Sequence, residues 1–296
     1  MKTSECNAPT ETTPKAHVDR RAFVRQAGLL GLGAAVSGAL LTTPQARADK
    51  DWPQSKDTTA EIFTAFLIAE DLATTFYYNG LIGTVIQDPN LAGPGGSATD
   101  VTSSGNLGNV EYIRAALTEE ISHANLFRRA LTGSASGAGK DPYQTFYFPN
   151  GTFNTLPAFL GILNALENAF IGAYLVVIQE FSAKAALARA HALRGPDARY
   201  SAEDYEEFAT VAGSILGIEC EHRVLGRVIG NNNPANNLSY EQTDGLTSIY
   251  NGSQSAVVAL TPFLTPSTGP GYSLGTALEH QHAVSLPTTG NTPPEL

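Results

Sequence analysis

Cysteine is almost missing from this chain, whose 296 residues include only Cys6 and Cys220. A fold stapled by several disulfides is therefore excluded. Charge is scarce as well, at 16% of residues, below the roughly one quarter usual in soluble domains. That rules out a solvated charged rod, and an apolar content of 42% rules out disorder along the whole chain. Gly (28) and Pro (17) are plentiful, which implies long uncharged loops between helical bodies.

Positive charge is scarcest beyond the first segment. Residues 1–48 hold six of the 18 bases and three of the 28 acids. A chain beginning at Asp49 then carries 12 bases against 25 acids, a formal charge of -13. Such a surface repels phosphate backbones, which excludes nucleic acid as a partner.

Within residues 1–48, Arg20-Arg21-Ala22-Phe23-Val24-Arg25 is a twin-arginine sequence, followed by an apolar run from Ala27 to Leu41 and by Ala46-Arg47-Ala48. The order matches a twin-arginine export signal with its cleavage site, so the expected destination is periplasmic or secreted. The run is about 15 residues and is broken by Gly28, Gly31, Gly33 and Gly38, short for a bilayer span. The mature form is expected to have no stable transmembrane segment; an uncleaved anchor is the competing reading. Cys6 leaves with this segment, and Cys220, inside an apolar helical pattern, reads as a small buried residue.

Four stretches carry helical periodicity: about 57–85, 108–131, 156–193 and 202–229. Asp57-Thr58-Thr59 supplies capping chemistry for the first, and Gly230 to Pro234 stops the fourth. The third is apolar on most sides and belongs in the interior. Residues 87–106 lack periodicity and read as a loop. The link from 132 to 155 holds Tyr143, Phe146, Tyr147 and Phe148, and is long enough to cross from one end of a bundle to the other. A short turn at Gly195-Pro196-Asp197 makes the last two helices antiparallel neighbours. The expected division is a signal at 1–48, an all-α four-helix bundle at 49–230, and an irregular C-terminal extension at 231–296.

Each helix places a carboxylate within its apolar stripe. Glu70 follows Phe63 and Phe66, and Glu167 follows Leu160 and Leu163. The other two helices carry Glu-x-x-His, as Glu120-Ile121-Ser122-His123 and Glu219-Cys220-Glu221-His222. A carboxylate buried without a partner costs several kcal/mol or is forced to protonate. Four facing one core need cations between them. Glutamates offer hard oxygen donors and imidazole a nitrogen donor that suits iron, manganese or zinc. Glu-x-x-His puts both groups on one helical face, one turn apart. One Glu from each of two helices with Glu-x-x-His from the other two is the set used by di-iron and di-manganese bundles.

The stretch Ala165-Leu166-Glu167-Asn168-Ala169-Phe170-Ile171-Gly172-Ala173-Tyr174 resembles the ALE-x-x-x-x-x-AY segment of secreted ferritin-like proteins, grouped with plant and bacterial desiccation-related proteins. Phe76-Tyr77 after Glu70 is similar to their first helix. The resemblance covers roughly 57–230. It implies a ferritin-like bundle with one long crossover between helices two and three, and a site for two iron or manganese ions at Glu70, Glu120, His123, Glu167, Glu219 and His222. Members of the wider superfamily oxidise ferrous iron or reduce or disproportionate peroxide. With no Cys-x-x-Cys pair, an attached rubredoxin-like centre is absent.

Several residues compete for roles. Glu180 is a rival for Glu167, which the stripe and the resemblance favour. Glu119 and Glu221 lie about 100° round their helices from the ligand face, as solvated or supporting groups. Tyr77 and Tyr174, seven residues beyond Glu70 and Glu167, line the site or simply pack. His191 is expected at the surface; His280 and His282 are a chance pair or a second metal site. The leading expectation is redox chemistry on peroxide, dioxygen or ferrous iron. The competing one is a non-enzymatic secreted stress or desiccation protein, or a self-assembling structural protein, in which metal, if bound, only staples the bundle. A homo-oligomer fits either, although the long insertions would crowd a closed storage cage.

Overall fold

A computed structural model describes residues 57–232 and 256–287. The expected export signal at 1–48 lies outside the described residues. Four long helices dominate: α1 (Thr59–Ile82), α2 (Leu107–Thr132), α3 (Leu156–Arg189) and α4 (Ala202–Ile229).

Local chemistry sets their ends. Thr58 caps α1 through a capping box, its hydroxyl accepting from the Glu61 amide at 3.2 Å while the Glu61 carboxylate accepts from the Thr58 amide at 2.7 Å. Ser201 and Asp204 repeat the device on α4. Helix α2 ends at Gly133, whose φ of 76° only glycine adopts without strain. α1 is shorter than the expected 57–85. It stops at Gly83 and passes into a 3₁₀ turn, Thr84–Gln87. α3 likewise ends at Arg189, not near 193.

Ring contacts fix the directions. Phe63 and Phe66 of α1 meet Phe127 of α2 at 5.8 and 5.3 Å, and Asn90 beyond α1 receives a bond from Asn109 at the start of α2. These two helices are antiparallel. Phe63 meets Phe181 of α3, Phe66 stacks on Tyr174, and Phe76 stacks on Phe159 at 4.6 Å, so α1 and α3 are also antiparallel. It follows that α2 and α3 run parallel, as the long crossover requires. α3 and α4 are antiparallel, with Phe181 against Phe208 at one end and Leu163 against Gly226 toward the other. A Cβ on Gly226 would come within 2.6 Å of Leu163, so glycine lets these helices close up one turn beyond His222.

The apolar interior falls into two clusters. One gathers Ile62, Phe63, Phe127, Phe181, Tyr205 and Phe208. The other gathers Leu72, Phe76, Leu117, Phe159 and Leu163. Between them lies a layer of buried carboxylates. α3 is long and apolar enough to cross a membrane by length and composition, yet it packs along α4 and carries Glu167 inward.

The described part of the C-terminal extension packs onto the bundle. Helices α5 (Ala256–Leu260) and α6 (Leu274–His280), with the 3₁₀ turn Thr261–Leu264 that follows α5, bring Val257, Leu260, Phe263, Leu264, Leu274 and Ala277 into the second cluster. Strand β2 (Gly271–Ser273) pairs antiparallel with β1 (Thr145–Tyr147) of the crossover, Phe146 opposite Tyr272. The Arg114 guanidinium donates to the carbonyls of Val284 (2.7 Å) and Ser285 (3.1 Å), and Thr118 donates to that of Leu286 (2.8 Å).

Candidate metal centre

Each helix delivers its acid at the same height because the carboxylate replaces an apolar residue in the inward stripe. Glu70 is 2% exposed, Glu167 1%, and Glu120 and Glu219 not at all. His222 is equally buried, while the His123 side chain is 12% exposed.

The six form two overlapping groups in which one ligand atom from each residue lies within 4.8 Å of every other. One contains Glu70, Glu120, His123 and Glu219; the other contains Glu120, Glu167, Glu219 and His222. Glu120 and Glu219 are common to both. His123 Nδ1 lies 3.4 Å from Glu70, 3.7 Å from Glu120 and 3.6 Å from Glu219. His222 Nδ1 lies 3.0 Å from Glu120, 3.4 Å from Glu219 and 3.9 Å from Glu167.

None of these approaches has hydrogen-bond geometry. Glu70 Oε2, Glu167 Oε2, both oxygens of Glu120 and of Glu219, and the two Nδ1 atoms are buried and unpartnered. The remaining oxygens of Glu70 and Glu167 are taken. Tyr77 donates to Glu167 Oε1 at 2.5 Å, and Tyr174 donates to Glu70 Oε1. The unpartnered atoms of Glu70, Glu120 and Glu219 face the two Nδ1 atoms across the gap, whereas Glu167 approaches His222 Nδ1 through the Oε1 that Tyr77 holds. Buried polar groups are rarely left without partners, and a set of hard oxygens with two imidazole nitrogens is a donor set for divalent cations. The residues fit such ions.

The electrostatics agree. Burial pushes the Glu167 carboxyl well above its usual range, with Glu219 adding to the shift. Glu120 is raised by burial and then by Glu70. Burial would lower both imidazoles, but the carboxylates reverse it. Glu120 and Glu70 hold His123 well above its ordinary value, and Glu119 with Glu120 does so for His222. Tyr77 and Tyr174 are raised well above ordinary phenols by burial and by Glu167 and Glu70 respectively. The acids and phenols are raised first by burial and then by neighbouring carboxylates, and the imidazoles by those same carboxylates; a cation among them would relieve both effects.

The neighbours sort themselves. Glu180 is buried but belongs to neither group. The Glu119 carboxylate accepts from His222 Nε2–H at 2.8 Å, while Glu221 is exposed. Cys220 is half-buried, not the buried residue its pattern implies, because it sits beside the inward stripe. His191, His280 and His282 are exposed, and the tail pair forms no metal-holding group among the described residues.

Sequence reading missed a clamp beside the site. Arg128, 2% exposed, donates to Asp71 (3.0 Å) and to Asp141 (2.6 Å and 2.8 Å), tying α1, α2 and the crossover together one residue from Glu70. Burial, then Asp141, raises Asp71 well above the usual carboxylate range. A second buried pair, Lys184 with Asp197 at 2.5 Å, anchors the α3–α4 turn to the start of α1, where Asp197 also accepts from the Thr59 amide. Acids and bases outside the Glu-x-x-His pattern were the available clue.

Residues 58–204 match the family model described as a ferritin-like domain. The match contains Glu70, Glu120, His123 and Glu167 and stops near the start of α4, so Glu219 and His222 join the site through the fold. No curated protein and no solved structure matches the chain.

Proposed function

Taking residues 58–204 as a ferritin-like domain, we propose that this protein is an exported two-metal carboxylate protein acting as an oxidoreductase on peroxide, dioxygen or ferrous iron. The observation that carries this reading is the set of buried, unpartnered ligand atoms on Glu70, Glu120, His123, Glu167, Glu219 and His222. These residues would hold two iron or manganese ions, Glu120 and Glu219 serving both positions. When bound, a redox-active pair supplies two electrons to peroxide or dioxygen, while ferrous iron as substrate would give up its electrons at the same place.

The chain's own residues contribute in three ways. The four carboxylates neutralise the added positive charge in a volume that excludes water. Tyr77 and Tyr174 each donate a hydrogen bond to one oxygen of a carboxylate, Glu167 and Glu70, and so fix the orientation of that acid; on Glu70 this leaves Oε2 toward His123. His123, the most exposed of the six, marks the side by which a small molecule reaches the site.

The closed surroundings of the other five residues favour a second reading, a non-enzymatic secreted stress or desiccation protein in which metal, if bound, only staples the bundle. Protein purified from its native host separates the two. Two iron or manganese ions per chain with metal-dependent consumption of peroxide or dioxygen supports the enzyme. Stoichiometric metal without turnover supports the non-enzymatic protein with metal as a staple, and metal-free protein whose melting is untouched by chelation contradicts the enzyme and supports the non-enzymatic protein.

A further inference from the structure

The two halves of the site match in their ligands but not in what stands behind them. On one side, His222 presents Nδ1 to the carboxylates and Nε2 to Glu119, 2.8 Å away, so a carboxylate fixes its ring. Glu119 is the residue immediately before the glutamate of the α2 Glu-x-x-His pair. The corresponding position in α4, immediately before Glu219, is Ile218, which has no acceptor. His123 correspondingly makes no hydrogen bond on its outward nitrogen among the described residues, and its side chain is 12% exposed against 1% for His222.

We infer that Glu119 is a positioning residue that makes the two metal positions unequal, the His222 position binding tightly and first, the His123 position weakly and second. This rests on the two-metal reading above. A carboxylate accepting from the outer N–H of a ligating imidazole fixes the tautomer that leaves the inner nitrogen free to donate, and it raises ligand basicity. Fixing the ring also removes the cost of ordering it when the ion arrives. Ile218 can do neither, and water can compete at the more exposed His123.

Cobalt(II) alone, titrated anaerobically into chelator-treated protein, reads the two positions by calorimetry and by its visible absorption. The inference predicts two ions in two resolved steps, the first at least about tenfold tighter. Glu119→Ala should weaken that first step by about 10- to 100-fold, the range typical of lost imidazole support, with the second step and the total of two unchanged. Glu119→Gln keeps an acceptor and should restore part of the loss. Ile218→Glu supplies the missing acceptor and should tighten the second step. One unresolved two-ion step, or two steps indifferent to Glu119→Ala, overturns the inference and leaves the two-metal reading standing. No cobalt in any variant overturns both. Should Glu119→Ala not fold, Glu119→Gln and Ile218→Glu decide alone.

Discussion

Tyr77 on α1 donates a 2.5 Å hydrogen bond to Glu167 on α3, and Tyr174, seven residues after Glu167, returns the same service to Glu70, seven residues before Tyr77. Each phenol thus fixes one oxygen of the acid on the opposite helix. Removing the Tyr77 hydroxyl leaves Glu167 Oε1 buried without a partner, a cost of about 1–3 kcal/mol. Tyr77→Phe should lower the stability of the metal-free protein by that amount in urea melts, with the m-value unchanged. Tyr174→Phe should behave alike, and a neutral result for both would show the phenols to be packing only.

The metal-free protein should lose stability as pH rises. Glu120, Glu167, His123 and His222 are all raised in the folded state. A raised group contributes stability that is complete below its unfolded value and lost as pH passes up through its folded value. For the two acids this loss begins above the ordinary carboxylate range, and for the imidazoles above their ordinary value. Chelated protein should therefore melt at a lower temperature near pH 8 than near pH 5. Metal-loaded protein should show the reverse, since ligands must shed protons to bind. Parallel pH profiles with and without metal would contradict this.

Arg128 is a buried cation held by two buried acids, Asp71 and Asp141. Arg128→Met leaves both acids uncompensated and should cost about 3–5 kcal/mol. Adding Asp71→Asn and Asp141→Asn to it should recover much of that loss, because no unpaired charge then remains. Calorimetric melts of the single and triple variants make the comparison.

Leu274 of the C-terminal segment is fully buried in the same cluster as Phe76 and Phe159. Leu274→Ala should cost about 2–5 kcal/mol and lower a single cooperative transition. A separate, early transition would mean that residues 256–287 fold apart from the bundle.

The proposed export rests on Arg20 and Arg21. Replacing both by Lys should leave the protein in the cytoplasm, as read by cell fractionation, and unchanged periplasmic recovery would remove the export proposal.

The Glu-x-x-His pairs were legible because three residues nearly complete a helical turn, which sequence spacing records directly. Glu70 and Glu167 were legible because an acid interrupts an apolar stripe. The Glu119–His222 bond was not, since it depends on how α2 and α4 are rotated against each other. Nor was the Arg128 clamp, whose partners Asp71 and Asp141 stand 57 and 13 residues away. The docking of Phe263, Leu264 and Leu274 was hidden because pieces this short have no period to read. The apolar pattern of α1 runs past Gly83 because Val85 and Ile86 continue it while the chain leaves the α-helical path.

The central claim is that six residues from four helices hold two ions. Elemental analysis of protein recovered from its native host, beside the variant Glu120→Ala/Glu219→Ala, tests it most directly. Two iron or manganese ions per wild-type chain and close to none in the variant are expected, with the helical content of both the same by circular dichroism. Wild-type protein without stoichiometric metal, or a variant that keeps both ions, would contradict it.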